Sequence, residues 1–364
     1  MINKLKMNRI STIIAALLLV VALRAGAQIK VEVSETVELM GILSRTAGFP
    51  EYSMDLAGQY TADAETWFAK YKDNPVIAYY QGLREKDTIS FGDVSSMAIH
   101  LDIDKGKVRF LGEKSDLEKH WHNVDIDEFV ARLNQFYADT HFHDFFEQHR
   151  AFYDEGVKKM EPMMLPLFRQ EWFAPFYGTD GTERFRIILS FTHGGNNNGV
   201  ARQLKGQPRE QFAICGYIAN RKNFDATILV HEFSHPFVNP LLDNAANAAM
   251  IEKAGRKLFQ LTKYIMEEQA YDDWRIVINE SIVRAAVFVY LVDNKMVNDA
   301  VVQYLLNEMY LRGFRWMPEL VVALREYSSK REQYKTLNDF YPEIARCLNK
   351  YADDESGRIV KALK

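Results

Sequence analysis

The sequence predicts an α+β fold that is mostly helical, with one small mixed sheet. Glycine and proline are sparse, at 19 and 10 of 364 residues, which favours helices over a sandwich built from many turns. Apolar residues recur at helical spacing over 36–43 and 126–152, and the helical pattern resumes from 225 onward. Between these stretches, 184–218 has the composition of strands around a turn cluster. We therefore expect a small sheet flanked by helices.

Composition and charge indicate a globular protein and exclude some kinds of partner and site. The chain is 48% hydrophobic and 26% charged, which is typical of a globular protein, and its length allows a sizeable core. Its formal charge is −4 and no basic block occurs, so we expect no nucleic-acid partner. Two cysteines, Cys215 and Cys347, are too few for a cysteine-rich structural zinc site.

The first 27 residues have the layout of a signal peptide. A basic start precedes the apolar run 13–23, and the small residues 25–27 suit a cleavage site. Arg24 ends the run well short of the roughly 20 residues that span a bilayer. We therefore predict an exported protein, periplasmic or extracellular in a bacterium, with no integral membrane span after cleavage.

Residues 28–165 are predicted to form a mainly helical region packed on the core. The helical patterns over 36–43 and 126–152 belong to it. Within this region, 98–103 and 107–110 have the pattern of a short β pair, joined by a turn that contains Gly106.

Residues 166–364 are predicted to form the catalytic region. Its strands are expected at 185–191 and 212–218, and the Asn/Gly-rich segment 194–199 between them is a turn cluster. From 225 onward the pattern returns to helices.

The most informative motif is the segment 225–237, DATILVHEFSHPF. Asp225 can cap a helix, and one helical turn then places His231 and His235 on the same face, able to hold one metal ion. Glu232 is the next residue round the helix and is placed to deprotonate a water bound to that metal. The alternative interpretation is that both histidines are ordinary helix residues bonded within the core.

A third ligand is needed, because catalytic zinc takes three protein ligands and one open position. No histidine follows His235, so we expect a carboxylate from a later helix. Glu280 lies in the middle of an apolar helical run over 267–292, where a buried acid is costly unless it is paired or bound to metal. An ion pair with Arg284, one turn on, is the alternative and is compatible with metal binding. Asp273 is the second choice for the ligand.

Proline at 236 departs from the usual helical pattern of such a motif. The residue before a proline is biased away from helical geometry, and the ring removes a backbone bond to residue 232. We therefore expect the helix to kink or end at His235.

These residues resemble a known class of enzymes. The pair His231-Glu-Phe-Ser-His235 and Asn279-Glu280-Ser-Ile-Val-Arg284 together resemble the gluzincin class of HExxH zinc metallopeptidases. The resemblance covers about 184–290 and implies a thermolysin-like core, with an active-site helix, a ligand helix and a sheet whose edge strand binds substrate backbone. A second resemblance includes the segment 38–48, ELMGILSRTAG, and spans most of the mature chain. In it the chain is similar to a family of secreted bacterial proteins that carry a domain of unknown function.

A zinc-dependent peptidase mechanism follows from these assignments. His231, His235 and Glu280 are expected to hold Zn²⁺, and Glu232 to act as general base on the water that attacks a peptide or protein substrate. The oxyanion needs a further donor, for which we choose Tyr310. The other residues considered for that role are His193, Tyr290, Tyr304, Arg312 and Arg315.

The strand implied at the sheet edge is expected over 196–204, where a substrate could add as a further strand. A plain surface hairpin is the alternative for this segment.

Two further functions remain open at this point. A zinc hydrolase of another amide or an ester would use the same constellation. A non-catalytic cell-envelope protein would instead bind a glycan or protein partner through aromatic residues of the helical region: Trp67, Tyr79, Tyr80 and Trp121.

Overall fold

A four-stranded mixed sheet carries the elements that build the site. It is seen in a computed structural model that describes residues 29–362, with side chains through residue 355. The predicted signal peptide, 1–27, lies outside the described residues. The strands are β1 Val31–Glu32, β2 Leu101–Asp104, β3 Lys107–Phe110, β4 Arg184–Ser190, β5 Asn197–Arg202 and β6 Glu210–Gly216. The main sheet has the order β1-β4-β6-β5, and β2 and β3 form a separate hairpin.

The main sheet is parallel except at one edge. β1 and β6 both run parallel to β4, whereas β5 is antiparallel to β6. Because β1 comes from the start of the described chain, the sheet joins that segment to the strands in the middle of the sequence.

Helices surround this sheet in the order predicted from the sequence pattern, and the α+β class is confirmed. The α-helices of the described chain are α1 Glu35–Thr46, α2 Gln59–Phe68, α3 Pro75–Asp87, α4 Phe91–Ile99, α5 Ile126–Asp139, α6 Phe142–Gln148, α7 Arg150–Met164, α8 Phe173–Tyr177, α9 Thr227–Asp243, α10 Ala245–Glu267, α11 Trp274–Asp293, α12 Asp299–Leu311, α13 Met317–Ser329 and α14 Leu337–Ala362. Short 3₁₀ segments lie at Pro50–Tyr52, Ala69–Tyr71, Lys114–Asp116, Lys119–Asn123 and Gln170–Trp172.

Two helical predictions have different boundaries in the structure. The pattern over 126–152 is divided into three helices, and His141 between α5 and α6 has a left-handed φ of 52° that interrupts the helix. The helix predicted over 267–292 begins only at Trp274, because Asp273 caps it by accepting a hydrogen bond from the backbone N–H of Arg275.

The β2–β3 hairpin confirms the predicted pair and turn, although β2 begins only at Leu101 because residues 98 and 99 belong to α4. Its two turn residues, Lys105 and Gly106, have φ values of 51° and 74°. Positive φ at both central positions matches the right-handed twist of the strands, and glycine tolerates it at no steric cost.

Helix α1 packs closely against the segment that follows β4. A Cβ added to Gly41 would lie 1.9 Å from Oγ1 of Thr192, so only glycine permits this approach. Glu38, one turn earlier, is fully buried and accepts a hydrogen bond from the backbone N–H of Phe191 at 2.9 Å. The 38–48 motif therefore joins α1 to the segment that follows β4.

The residues from Val31 onward form one compact unit. Its core contains many aromatic side chains, among them Trp121, Trp316, Tyr80 and Phe129. A search of the described residues for a membrane span found no helix with the necessary length and apolar character.

Candidate metal centre

The helix that carries the HExxH motif begins just after Asp225, and its N-cap position is Ala226 rather than Asp225. Asp225 accepts a hydrogen bond from the backbone N–H of Thr227 at 2.9 Å, at the first turn of α9. The helix packs on the face of β5 and β6, so the motif is placed beside the edge of the sheet.

Of the two outcomes expected at His235, a kink or an end of the helix, the end is wrong. α9 continues to Asp243 through Pro236 and Pro240. Pro240 has no N–H to donate to the carbonyl of Pro236, and the guanidinium of Arg209 donates to that carbonyl instead at 3.0 Å. Replacement of a lost backbone donor by a side chain explains how the helix continues beyond the motif.

The structure brings His231, His235 and Glu280 together. The two Nε2 atoms are 3.1 Å apart, and Oε2 and Oε1 of Glu280 lie 3.6 Å and 3.4 Å from Nε2 of His231 and His235 respectively. One ligand atom from each residue lies within 4.8 Å of the others. Among the described residues, this is the group of histidine, cysteine and acidic side chains that could hold a metal ion.

The pKa values of the two imidazoles are shifted in opposite directions. Burial lowers the pKa of His231 to about 3. Burial also acts to lower the pKa of His235, but its hydrogen bond to the Glu280 carboxylate and the charge of that group raise it to about 9. The hydrogen bond with Glu280 therefore distinguishes the environment of His235 from that of His231.

His235 is held in orientation from its other ring nitrogen. Its Nδ1 donates to Oδ1 of Asn239, one turn along α9, at 3.2 Å. Such a bond to the distal nitrogen directs Nε2 towards the shared position, as at many metal-ligating histidines.

Glu280 is fixed by two further side chains. Nη2 of Arg284 donates to its Oε2 at 2.9 Å, and the hydroxyl of Tyr271 donates to the same oxygen at 3.1 Å. Burial would raise the pKa of Glu280, but the charges of His231, His235 and Arg284 hold it well below its usual range. The predicted ion pair with Arg284 therefore coexists with the cluster, as the sequence allowed.

Tyr271 was missed by the sequence reasoning. It lies in the loop between α10 and α11, and its hydroxyl also accepts a hydrogen bond from Arg284 at 2.8 Å. The sequence pattern includes Tyr271 in the helix predicted over 267–292 and gives no sign of a contact with Glu280, so only the fold identifies it.

Glu232 lies beside the cluster in a closely packed position. It is 6% exposed, and burial raises its pKa to about 7. The backbone N–H of Gly199 in β5 faces its carboxyl. A Cβ at Gly199 would lie only 1.7 Å from the backbone carbonyl oxygen of Glu232, so the strand can approach the helix only because this residue is glycine.

The structure does not bring Tyr310 into this network. Tyr310 is 53% exposed at the end of α12, and the guanidinium of Arg315 lies over its ring at 5.6 Å.

The other residues considered as oxyanion donors are distributed widely. Tyr290 is buried and bonded to the 167–169 segment, and Tyr304 is 61% exposed. His193 is 1% exposed and bonded to Ser190. Of this set, Arg312 exerts an electrostatic effect on His231.

The segment predicted as an edge strand is β5. It ends the sheet, with β6 on one side, and lies against α9. The observed bounds, Asn197–Arg202, fall within the predicted 196–204.

The aromatic residues suggested for glycan or partner binding do not share a surface. Tyr80 and Trp121 are completely buried in the core. Trp67 donates its indole N–H to the carbonyl of Thr140, and Tyr79 stacks with Arg132. A binding site formed by all four is therefore excluded.

Comparison with known proteins identifies a family of unknown activity. Residues 29–347 match the family described as "Domain of unknown function (DUF4932)". Neither the curated proteins nor the solved structures contain a significant match to the chain.

Proposed function

This chain belongs to the DUF4932 family, and we propose that it is a zinc-dependent metallopeptidase. The observation that carries the proposal is the convergence of His231, His235 and Glu280, with their ligand atoms within 4.8 Å of one another. A carboxyl with a raised pKa, that of Glu232, lies next to this cluster on the same helix.

The donor set suits zinc. Two imidazole nitrogens and one carboxylate oxygen are a common protein ligand set at catalytic zinc sites, and they leave a fourth position open. The cluster is partly accessible, since its three side chains are 18%, 14% and 10% exposed. These features support a catalytic rather than a closed structural site.

The residues around the cluster supply the remaining chemistry. A zinc ion bound there would lower the pKa of a water towards neutrality and polarise the scissile carbonyl. Glu232, with a pKa of about 7, accepts the proton of the attacking water and then donates it to the leaving amine. Arg284 and Tyr271 keep the carboxylate of Glu280 in place while Asn239 orients His235.

The sheet edge supports a peptide as the substrate. β5 lies directly beside Glu232 and runs antiparallel to its single described neighbour in the sheet. An extended peptide that pairs with this edge would place its backbone next to the general base. The sequence also suggests a thermolysin-like core and export from the cytoplasm. We propose both as properties of this peptidase.

Metal analysis and one matched pair of variants test the proposal. The purified protein is expected to bind about one zinc per chain and to cleave members of a peptide library, and a chelator should stop the cleavage. Glu232→Gln should retain zinc and lose at least about 10²-fold in rate, since a general base typically contributes 10²–10⁴-fold.

Glu38→Gln provides the control, because Glu38 is an equally buried carboxyl whose pKa is also raised to about 7. It should retain both zinc and cleavage. Absence of zinc, or full activity of Glu232→Gln, would refute the proposal. Zinc binding with cleavage of esters or non-peptide amides alone would assign the site to another hydrolase.

A further inference from the structure

Arg312 is a fixed arginine at the end of α12. Its Nε donates to Oε1 of Gln269 at 3.1 Å, and Nε2 of Gln269 donates back to the Arg312 carbonyl at 2.9 Å. The next residue, Gly313, has a φ of 92°, and a Cβ there would lie 2.6 Å from a side-chain carbon of Ile265. The backbone that carries Arg312 is therefore held closely against α10.

This arginine adjoins the residues that hold the metal cluster. Its positive charge acts on His231, Tyr271, Glu280 and Arg284. Two residues further on, the ring of Phe314 packs beneath the guanidinium of Arg284 at 5.0 Å. The same ring contacts Tyr271, with the centroids 6.2 Å apart.

The two arginines at this position have hydrogen-bond donors without a partner among the described residues. Glu280 accepts from Nη2 of Arg284, whereas Nε of Arg284 is buried and has no partner among the described residues. Across residues 29–355, no carboxylate lies within 4 Å of the Arg312 guanidinium, although Glu308 attracts it from a longer distance. The two arginines also repel each other.

Such an arrangement is favourable for an anion. Two neighbouring guanidinium groups, of which only Arg284 is bonded to a carboxylate, leave donors unused, and a further carboxylate would satisfy them. Arg312 is exposed, so its guanidinium is open to a ligand.

We propose that Arg312, with the positive charge of Arg284 near it, binds a carboxylate of the substrate next to the scissile bond. This inference rests on the peptidase function proposed above and names its substrate class. The substrates are peptides that present a carboxylate at this position, either as the C-terminal carboxylate or as an acidic side chain. The first source makes the enzyme a carboxypeptidase, and the second makes it an endopeptidase selective for acidic residues.

Binding to an inactive form tests the proposal without relying on turnover. The zinc-loaded Glu232→Gln protein is titrated calorimetrically with an N-acetylated neutral pentapeptide that has either a free or an amidated C-terminus. A second pair of amidated peptides carries either a glutamate or a glutamine side chain. We expect one of the two carboxylate peptides to bind about 10- to 100-fold more tightly than its neutral partner, the range of a charge-assisted hydrogen bond.

Arg312→Gln in the same background separates this contact from direct binding of the carboxylate to zinc. It should abolish the tighter binding of the carboxylate peptide and leave the affinity for the neutral peptide unchanged. Arg315→Gln, which removes the guanidinium stacked on Tyr310, should preserve the preference.

Equal binding of the charged and neutral peptides, or a preference that survives Arg312→Gln, overturns the inference. If wild-type protein cleaves peptides without any such preference, the proposed function stands and the inference fails. If the preference depends on Arg312 but no peptide is cleaved, the carboxylate site stands and the peptidase proposal fails.

Discussion

Two glutamates of this chain, Glu38 and Glu232, are similarly buried but have very different surroundings. Burial raises the pKa of each to about 7. Glu38 accepts hydrogen bonds from the hydroxyls of Tyr60 and Ser190 at 2.7 and 2.8 Å and from the backbone N–H of Phe191 at 2.9 Å. For Glu232 the contact is the backbone N–H of Gly199, and no described side chain donates to it.

This difference separates a carboxyl that serves the fold from one that is available for chemistry. The bonds of Glu38 connect α1, α2 and the end of β4, and nothing in that cluster reaches solvent, since Glu38 and Ser190 are 0% exposed. Glu232 lies beside partly accessible imidazoles and keeps its lone pairs largely unused. A buried polar group whose bonds are satisfied stabilises a structure, whereas one left unsatisfied costs stability and is commonly functional.

The largest expected contrast is in the free energy of unfolding. Glu38→Ala leaves two hydroxyls and one backbone N–H without their acceptor and opens a cavity, so we expect a loss of roughly 3–5 kcal/mol. Glu232→Ala in metal-free protein should cost at most about 1 kcal/mol, because it also removes a carboxyl that burial disfavours. Urea unfolding of both variants measures the difference, and equal losses would mean that Glu232 also holds the fold together.

The second expected effect is a pH dependence of the free energy of unfolding that comes from Glu38. Folding raises the pKa of Glu38 from 4.5 to about 7, so the folded chain binds more protons than the unfolded chain between these values. Its contribution to stability is complete below pH 4.5 and declines as the pH rises through 7, by roughly 3 kcal/mol in total.

Glu38→Gln keeps an amide oxygen for Ser190 and Phe191 but cannot ionise. The difference in unfolding free energy between this variant and wild type should therefore change with pH over that window. A constant difference from pH 4.5 to 8 would contradict the raised pKa.

Zinc should stabilise the folded protein through His231, His235 and Glu280, and the residues around Glu38 should have no part in this effect. At a free zinc concentration 100 times the dissociation constant, binding to the folded state adds about 2.7 kcal/mol of stability. We expect this gain in thermal unfolding of wild type and of Glu38→Gln, and its loss in His235→Ala. A gain that persists in His235→Ala would place the metal elsewhere.

The smallest effect is expected at the residue that orients His235. Asn239→Ala removes the acceptor for Nδ1, so zinc affinity should fall by about 10- to 100-fold, as for other partners of ligand histidines. Competition with a chelator of known affinity measures this change. An unchanged affinity would show that His235 needs no partner to direct its Nε2.

Local pattern predicted much of the site and failed where tertiary contacts decide. The i, i+4 spacing placed His231 and His235 on one face, and a lone acid in an apolar helix predicted Glu280. Tyr271 and Gly199 could not be predicted, because a loop and a strand acquire their roles only from what folds against them.

The choice of Tyr310 illustrates the same limit. Several tyrosines and arginines follow the motif in sequence, and sequence alone gives no distance between any of them and the cluster. The helix that carries Tyr310 leaves it half-exposed, whereas Arg312, two positions later, lies within electrostatic range of His231. Two residues so close along the chain can therefore differ completely in their relation to the cluster.

The two prolines of α9 have a consequence for how the protein matures. Each proline costs an interior helical position about 3 kcal/mol, so the segment 227–243 has little tendency to become helical in the unfolded chain. Its helical form depends on the sheet beneath it and on the guanidinium of Arg209. The two imidazoles therefore come together only when the sheet and Arg209 are in place, and an unfolded chain lacks the geometry to hold a metal ion between them.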